Sequence, residues 1–553
     1  MIFRPKTSPR PYNQPKVFIN DEEIEVVEQR RILGTVLDVE LSFDAHFSSV
    51  EKACYAAFNT IKHLYTGNLK PSVKTGSILY ITLIRSIMDY STVAITNISE
   101  KHLQKMQSIQ HKCLKLITQT LSSSSREVLN VMTNTLPIDL HFKLRVSESL
   151  ARIMSKSSPV NLSYKQWSEN DGRKKFTKVI TTYRKMELAT QQLLKKNILQ
   201  HEVLQVQLYN SKFPPFVQTS TIIPSESSKE EQKKKVHTLL QSDYYDYIIS
   251  TDGSTLKADT TSSLGPSGAA AIVFRKQNMR DPLDTVTINL GQLSHNYEAE
   301  LVGIQLALKL LQQKNLTQKK VLIMSDCIPA LESTFTNRIT VDYNHTILRN
   351  KNILHNLTTI HHNIIQAVWV PGHQGIQMNE MADVIARQEA TKQMKLHRPL
   401  ERKITLNNLK QQVLLNWQRR VNLELADHQI TEINVIVKTW KIYNTSGSKH
   451  LMRLVTGHHF LNSFQCKINP RTLKNCSCGQ TETLHHYLFL CQKYTRFRLK
   501  WQHRVVGITE DMGMLNKMSL STVFGQRIDL SEEKNRQLQE STCGYILDTN
   551  RFT

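Results

Sequence analysis

Five residues in the middle of the chain have the types and spacing to do chemistry: Asp252, Glu300, Asp326, His373 and Asp383. Asp252 closes a largely apolar run, Tyr247-Ile-Ile-Ser-Thr251, of strand length, and Asp326 closes another, Val321-Leu-Ile-Met-Ser325. Glu300 opens a segment whose apolar residues Leu301, Ile304, Leu308 and Leu311 repeat at helical spacing. Asp383 is expected in the first turn of a helix, with Asn379 as its N-cap. Two strands can thus deliver their terminal carboxylates to one point, and two helix starts can add two more. Carboxylates gathered so closely resist full ionisation. Divalent cations remove the conflict, and hard oxygen ligands suit magnesium, with manganese as the alternative. Two ions about 3.5–4 Å apart would clamp the attacking and leaving oxygens of an in-line phosphoryl displacement. With water as attacker, the site reads as a nuclease. A single aspartate after a strand is ordinarily a turn residue; it is the set of five that carries the reading.

The elements needed to position these groups follow in order: a strand to Asp252, a glycine-bearing strand Gly265-Pro-Ser-Gly-Ala-Ala-Ala-Ile-Val-Phe274, a helix from Glu300, a strand to Asp326, Val370-Pro-Gly-His373, and a helix with Ala382-Asp383. Together with Thr251-Asp-Gly-Ser254 and Ala299-Glu-Leu301, this order and spacing resembles the type 1 ribonuclease H domain. The resemblance implies an α/β fold, a five-stranded mixed sheet with flanking helices, over 243–391. It also implies that Asp252 serves both magnesium ions, that Glu300 and Asp326 complete one shell and Asp383 the other. His373 would assist proton transfer or product release, and Asn296 matches a position that contacts the hybrid. Glu298 competes for the glutamate role, and the Ala-Glu-Leu pattern favours Glu300.

At 553 residues the chain exceeds one core, so several domains are expected. The net charge is +24, and its distribution says more than its size. Residues 245–389 hold 12 Lys and Arg against 13 Asp and Glu; the remainder holds 59 against 34. A near-neutral nuclease-like segment between basic flanks points to a polyanionic partner held through phosphate contacts. No apolar run reaches about 18 residues, so no membrane span is expected, and the first residues lack the apolar core of a signal peptide. Eight cysteines, most of them scattered, imply reduced thiols in an intracellular compartment, nucleus or cytoplasm.

On the amino-terminal side, residues 1–150 read as a helical region, with helices over about 50–64, 77–89 and 103–118. The last has Leu103, Met106, Ile109, Cys113, Leu116 and Ile117 on one face. Residues 151–242 read as weak helices and linkers, broken at Phe213-Pro-Pro-Phe216, with the charged Pro224–Lys235 as a solvated linker. After the nuclease-like segment comes a helical region, 400–505, and a tail, 506–553. The former holds Cys476-Ser-Cys478-Gly-Gln-Thr-Glu482-Thr-Leu-His485-His486 and Cys491, and Cys476, Cys478, His486 and Cys491 offer S₃N ligation for a structural zinc ion, with His485 as the other candidate for the nitrogen.

Both flanks resemble the carboxy-terminal part of non-LTR retrotransposon polyproteins. The matching pieces are Leu33-Gly through His46, Lys105–Lys115, His450-Leu-Met-Arg-Leu-Val-Thr-Gly-His458, and the Cys/His motif. A reverse transcriptase palm would need adjacent aspartates, and the sequence contains no Asp-Asp pair. The expected function is therefore endonucleolytic cleavage of the RNA strand of RNA–DNA hybrids. The alternative is a nucleic-acid-binding retrotransposon relic without turnover.

Overall fold

The computed structural model describes residues 16–67, 71–154, 178–194, 221–222, 228–256, 265–336, 345–392, 402–427, 443, 447–457, 459–511, 513, 518–527 and 529–552. Phe213–Phe216 and His458 lie outside them. The chain forms two compact units, one from Ala151–Arg173 and Lys196–Asn408, the other from Met1–Leu150, Lys174–Lys195 and Leu409–Thr553.

The first unit is built on a mixed sheet. Its elements are β1 (Thr221–Ile222), α1 (Lys229–Gln241), β2 (Tyr247–Thr255), β3 (Gly265–Arg275), β4 (Asp284–Ser294), α2 (Asn296–Gln313), β5 (Lys320–Ser325), α3 (Ile328–Phe335), α4 (His345–His355), β6 (Ile364–Trp369) and α5 (Gln377–Thr391). The strand order is β1-β6-β5-β2-β3-β4. The meander β2-β3-β4 is antiparallel, and β2, β5, β6 and β1 run parallel. This is the five-stranded ribonuclease H-like sheet expected over 243–391, extended at one edge by the two residues of β1.

Helices cover both faces, so the central strands are apolar on both sides. Alternate residues feed separate cores. Ile249, Ala271, Val273, Val321 and Ile323 pack towards α2, α3 and α4. Ile248, Ile272, Phe274, Leu322 and Met324 pack towards α1 and α5. The small residues of β3 let helices come close: a Cβ on Gly268 would stand 2.4 Å from the Ala386 carbonyl oxygen of α5.

One expectation from the sequence is overturned here. Much of the charged stretch Pro224–Lys235, read as a solvated linker, belongs to α1. Ser228 caps it, accepting from the Glu231 amide while the Glu231 carboxylate accepts from the Ser228 amide, a complete capping box. Its lysines stand outward, and Gln232, Val236 and Leu240 are buried. The apolar stripe is narrow because the helix lies on the sheet by one edge, which leaves a weak periodic signal.

The second unit is largely helical, as expected for both flanks. Its described residues include a hairpin, Gln29–Ile32 with Thr35–Asp38, the helices Asp44–Thr66, Glu100–Thr118, Thr495–Thr509 and Glu532–Asp548, and most of the helices Ile138–Met154 and Arg402–Asp427. The Glu100–Thr118 helix buries Met106, Ile109, Cys113 and Ile117. Arg420 joins distant segments by bonding both oxygens of Asp139, at 3.0 and 2.6 Å, and Glu127 at 3.2 Å. Regions 1–150 and 409–553, separate in sequence, thus contribute to one compact body.

Candidate active site and candidate metal centre

Where the sheet splays, β2 and β5 part. Their pairing ends at Ser250–Met324, while β2 continues along β3 to Thr255. Asp252 lies just beyond this fork and Asp326 directly follows β5. Helix α2 crosses β2 almost in contact: a Cβ on Gly253 would be 2.1 Å from the Glu300 nitrogen, and one on Gly303 would be 2.9 Å from the Asp252 carbonyl oxygen. Only glycine permits that approach, and it sets Glu300 beside Asp252. Glu300 Oε2 accepts from the Gly253 amide at 3.1 Å, and its Oε1 from Asn296 Nδ2 at 3.4 Å. Carboxylate oxygens of Asp252, Glu300 and Asp326 all lie within 4.8 Å of one another. The competing Glu298 turns elsewhere and accepts from Thr346 Oγ1 of α4 at 2.9 Å.

Asp383 is near this trio but is differently held. Helix α5 starts at Gln377 with Ile376 at the cap position, so Asp383 falls in the second turn and Asn379 is a buried interior residue. The sequence expectation of an Asn379 cap is thus corrected: the amide is drawn into the core, so the cap position falls to Ile376. Arg387, one turn further, stands 3.7 Å from Asp383.

The electrostatics record the crowding. Burial, then the charges of Asp326 and Asp383, push the Asp252 carboxyl up to about 8. Burial, then Asp252 and Asp326, raise Glu300 well above the usual range, against the pull of its Gly253 hydrogen bond. Burial and Asp383 raise Asp326, against the opposing charge of His373. Asp252 Oδ2 is buried and has no hydrogen-bond partner among the described residues. A buried acceptor left this way is costly, and a cation at that atom would satisfy it. The donor set is all oxygen, so the residues fit magnesium or manganese.

The His373 loop passes over this cluster. A Cβ on Gly372 would be 3.0 Å from Asp326 Oδ2. His373 and Gly375 both have left-handed backbones, φ +56° and +77°. Two contacts that sequence reasoning missed hold the loop and its neighbour. Glu380 Oε1 accepts from the Gly375 amide at 2.9 Å, and Trp369 Nε1 donates to the Asp326 carbonyl at 2.9 Å. Glu380 lies within the Asn379–Asp383 stretch itself, and only the fold shows it turning back to the loop.

The RNase H family model matches residues 245–391. This segment is an RNase H domain. Similar solved structures include the N-terminal RNase H domain of Rv2228c from Mycobacterium tuberculosis, at 19% identity over 26% of this chain and 94% of that one, TM-score 0.21. RNase H1 from Halobacterium salinarum is 16% identical over 26% and 96%, TM-score 0.21. The prototype foamy virus RNase H domain is 23% identical over 26% and 94%, TM-score 0.22. No curated protein matches the chain.

Outside the RNase H domain, Cys476, Cys478, His486 and Cys491 converge, with all ligand atoms within 4.8 Å. A tight turn makes this possible. The Gly479 amide bonds the Cys476 carbonyl at 2.9 Å, the Cys476 amide bonds the Gln480 carbonyl at 2.7 Å, and Gly479 takes φ +91°. The Sγ atoms of Cys476 and Cys491 are 3.7 Å apart, those of Cys491 and Cys478 3.9 Å, and Cys478 Sγ is 3.3 Å from His486 Nε2. Thiolates bound at about 2.3 Å in a tetrahedron would stand about 3.8 Å apart, so the set fits zinc. His485 is exposed and packs on Phe489 instead, ring centroids 5.2 Å apart. Glu482, in the same motif, accepts from Arg551 at 2.7 and 2.6 Å and from the Asn462 amide at 2.7 Å.

Proposed function

We propose that the RNase H domain hydrolyses the RNA strand of RNA–DNA hybrids with two divalent ions, magnesium by preference, in a chain of non-LTR retrotransposon origin. The observation that carries the reading is the convergence of Asp252, Glu300 and Asp326, each offering a carboxylate oxygen within 4.8 Å of the others, with Asp252 Oδ2 buried and without a hydrogen-bond partner among the described residues. Asp252, Glu300 and Asp326 would hold one ion, and Asp252 with Asp383 the other. Bound there, the ions supply Lewis-acid charge neutralisation and lower the pKa of water.

The chain's own contributions are positional. Gly253 and Gly303 set α2 against β2, so Glu300 is fixed before any ligand arrives. The His373 imidazole, on its left-handed turn beside Asp326, can carry a proton to or from the scissile phosphate region. Asn296 opens α2 at the edge of the site and is proposed to meet the hybrid. Selection for RNA would come through its 2′-hydroxyls. The Leu33–His46 and His450–Cys491 motifs support the retrotransposon origin, and the Cys476, Cys478, His486, Cys491 centre is proposed to hold a structural zinc ion.

The competing reading is a binding relic without turnover. The complete carboxylate set favours the enzyme. A labelled hybrid incubated with the full chain, with magnesium and with chelator, tests this: metal-dependent cuts in the RNA strand alone are expected. Binding without cleavage in magnesium and in manganese would leave the relic reading.

A further inference from the structure

Helix α1 lies outside the segment that the RNase H family model matches, which begins at residue 245. It nevertheless reaches the root of the His373 loop. Among the described residues, strand β1 pairs with Ala367 and Val368 of β6. The next carbonyl, Trp369, is met instead by Gln232 of α1, whose Nε2 donates to it at 2.8 Å. Gln232 is fully buried, and its Oε1 has no partner among the described residues. A core position on a helix covering a sheet is normally apolar. Here an amide is kept at the cost of an unsatisfied oxygen, in return for one bond at the last strand residue before Val370-Pro-Gly-His373. The same Trp369 donates its indole N–H to the Asp326 carbonyl. One turn surface of α1 also runs beside the loop itself, with Lys233 Nζ 3.7 Å from where a Cβ on Gly375 would sit.

We propose that α1 is a working part of the nuclease and that Gln232 is a positioning residue for the His373 loop. The inference deepens the ribonuclease reading and rests on it. The loop leaves β6 in extended backbone and must then adopt two left-handed residues, His373 and Gly375. Glu380 fixes its far end through the Gly375 amide. Gln232 fixes the near end at Trp369. With both ends held, the imidazole is presented over Asp326 without a search through loop conformations. The hydrogen bond of Gln232 goes to the Trp369 carbonyl and not to a carboxylate of the cluster, so its effect must pass through the loop.

The test uses the full chain. Gln232→Met keeps the volume and removes both the donor and the orphaned oxygen; Gln232→Leu is the second variant should methionine not be accommodated. Hydrogen–deuterium exchange should quicken in the 370–376 segment and stay unchanged in β2 and β5. Single-turnover cleavage of a hybrid should slow about tenfold with hybrid affinity within about twofold. In a His373→Ala background the same substitution should cost less than about twofold, because the two act through one device. Unchanged exchange in 370–376, or equal losses with and without His373, would overturn the proposal. A wild-type chain that cleaves no hybrid in magnesium or manganese would sink the ribonuclease reading instead, while the exchange measurement would still decide whether Gln232 holds the loop.

Discussion

Asp252 is the residue on which the site turns. Its burial and its acidic neighbours push its pKa up to about 8, against about 4 in an unfolded chain. Between those values the folded, metal-free protein keeps a proton that the unfolded chain releases, so stability falls as pH rises through that window. Chelator-treated protein should therefore unfold at lower temperature at pH 8 than at pH 5. Magnesium should reverse the loss by binding the folded state, and Asp252→Asn should shrink the difference. Thermal scans showing equal or higher stability of the wild type at pH 8 would contradict this. Asp326→Asn removes an anionic ligand while keeping shape. Single-turnover cleavage should drop about a thousandfold, the scale of several kcal/mol of lost charge stabilisation, with hybrid binding retained. His373→Ala should cost about a hundredfold or less, as proton transfer alone. If His373→Ala proved the more severe of the two, the metal-holding role of Asp326 would be wrong.

At the scale of elements, the two candidate metal sites are built differently. The carboxylates are set by strands and by helix crossings at Gly253 and Gly303, within a core that exists without an ion. The Cys/His centre rests on a four-residue turn at Gly479 and the short segment His486–Leu490. Such small elements gain much of their stability from the ion. Purified protein should thus carry about one zinc per chain. Cys478→Ser should release it and raise proteolytic sensitivity in 459–494, with hybrid cleavage by the RNase H domain largely kept. Metal analysis finding no zinc in protein prepared without chelator would remove the zinc assignment. Glu482 and Arg551 form a partly metal-independent brace, so Arg551→Ala should loosen the same segment even in zinc-loaded protein.

Across the whole molecule, charge is unevenly divided along the chain. The RNase H domain is close to neutral and the rest of the chain strongly basic. The full chain should bind hybrid more tightly than residues 221–392 alone, and its affinity should fall more steeply with salt because more phosphate contacts release more counterions. Equal affinities with equal salt slopes, measured by titration at several ionic strengths, would mean that the flanks do not contribute. No helix among the described residues is long and apolar enough to cross a membrane.

The sequence by itself determined the sheet, and it singled out Asp252, Glu300 and Asp326, which the fold brings together. Asp252 lies just past the end of the parallel pairing and Asp326 directly follows its strand, and a run such as Val321–Ser325 has few other ways to be buried. The preference for Glu300 over Glu298 rested on the Ala-Glu-Leu resemblance, and the fold turns Glu298 to Thr346 instead. The Cys/His set was legible because its spacing confines it to one turn and one helix start; the fold brings together Cys476, Cys478, His486 and Cys491, the set named from the sequence with His485 as the alternative. Three things depended on tertiary structure alone. Asn379 became an interior residue because α5 packs against the sheet one turn earlier than its polar residues imply. Helix α1 was hidden because a helix touching a sheet by one edge buries only Gln232, Val236 and Leu240 among many lysines, a pattern that matches a solvated linker. The contacts of Gln232 with Trp369, Glu380 with Gly375 and Arg420 with Asp139 join residues distant in sequence or bend back across a loop, and local periodicity holds no information about them. Periodicity reports which face of an element is buried; what that face meets is decided only when the elements pack.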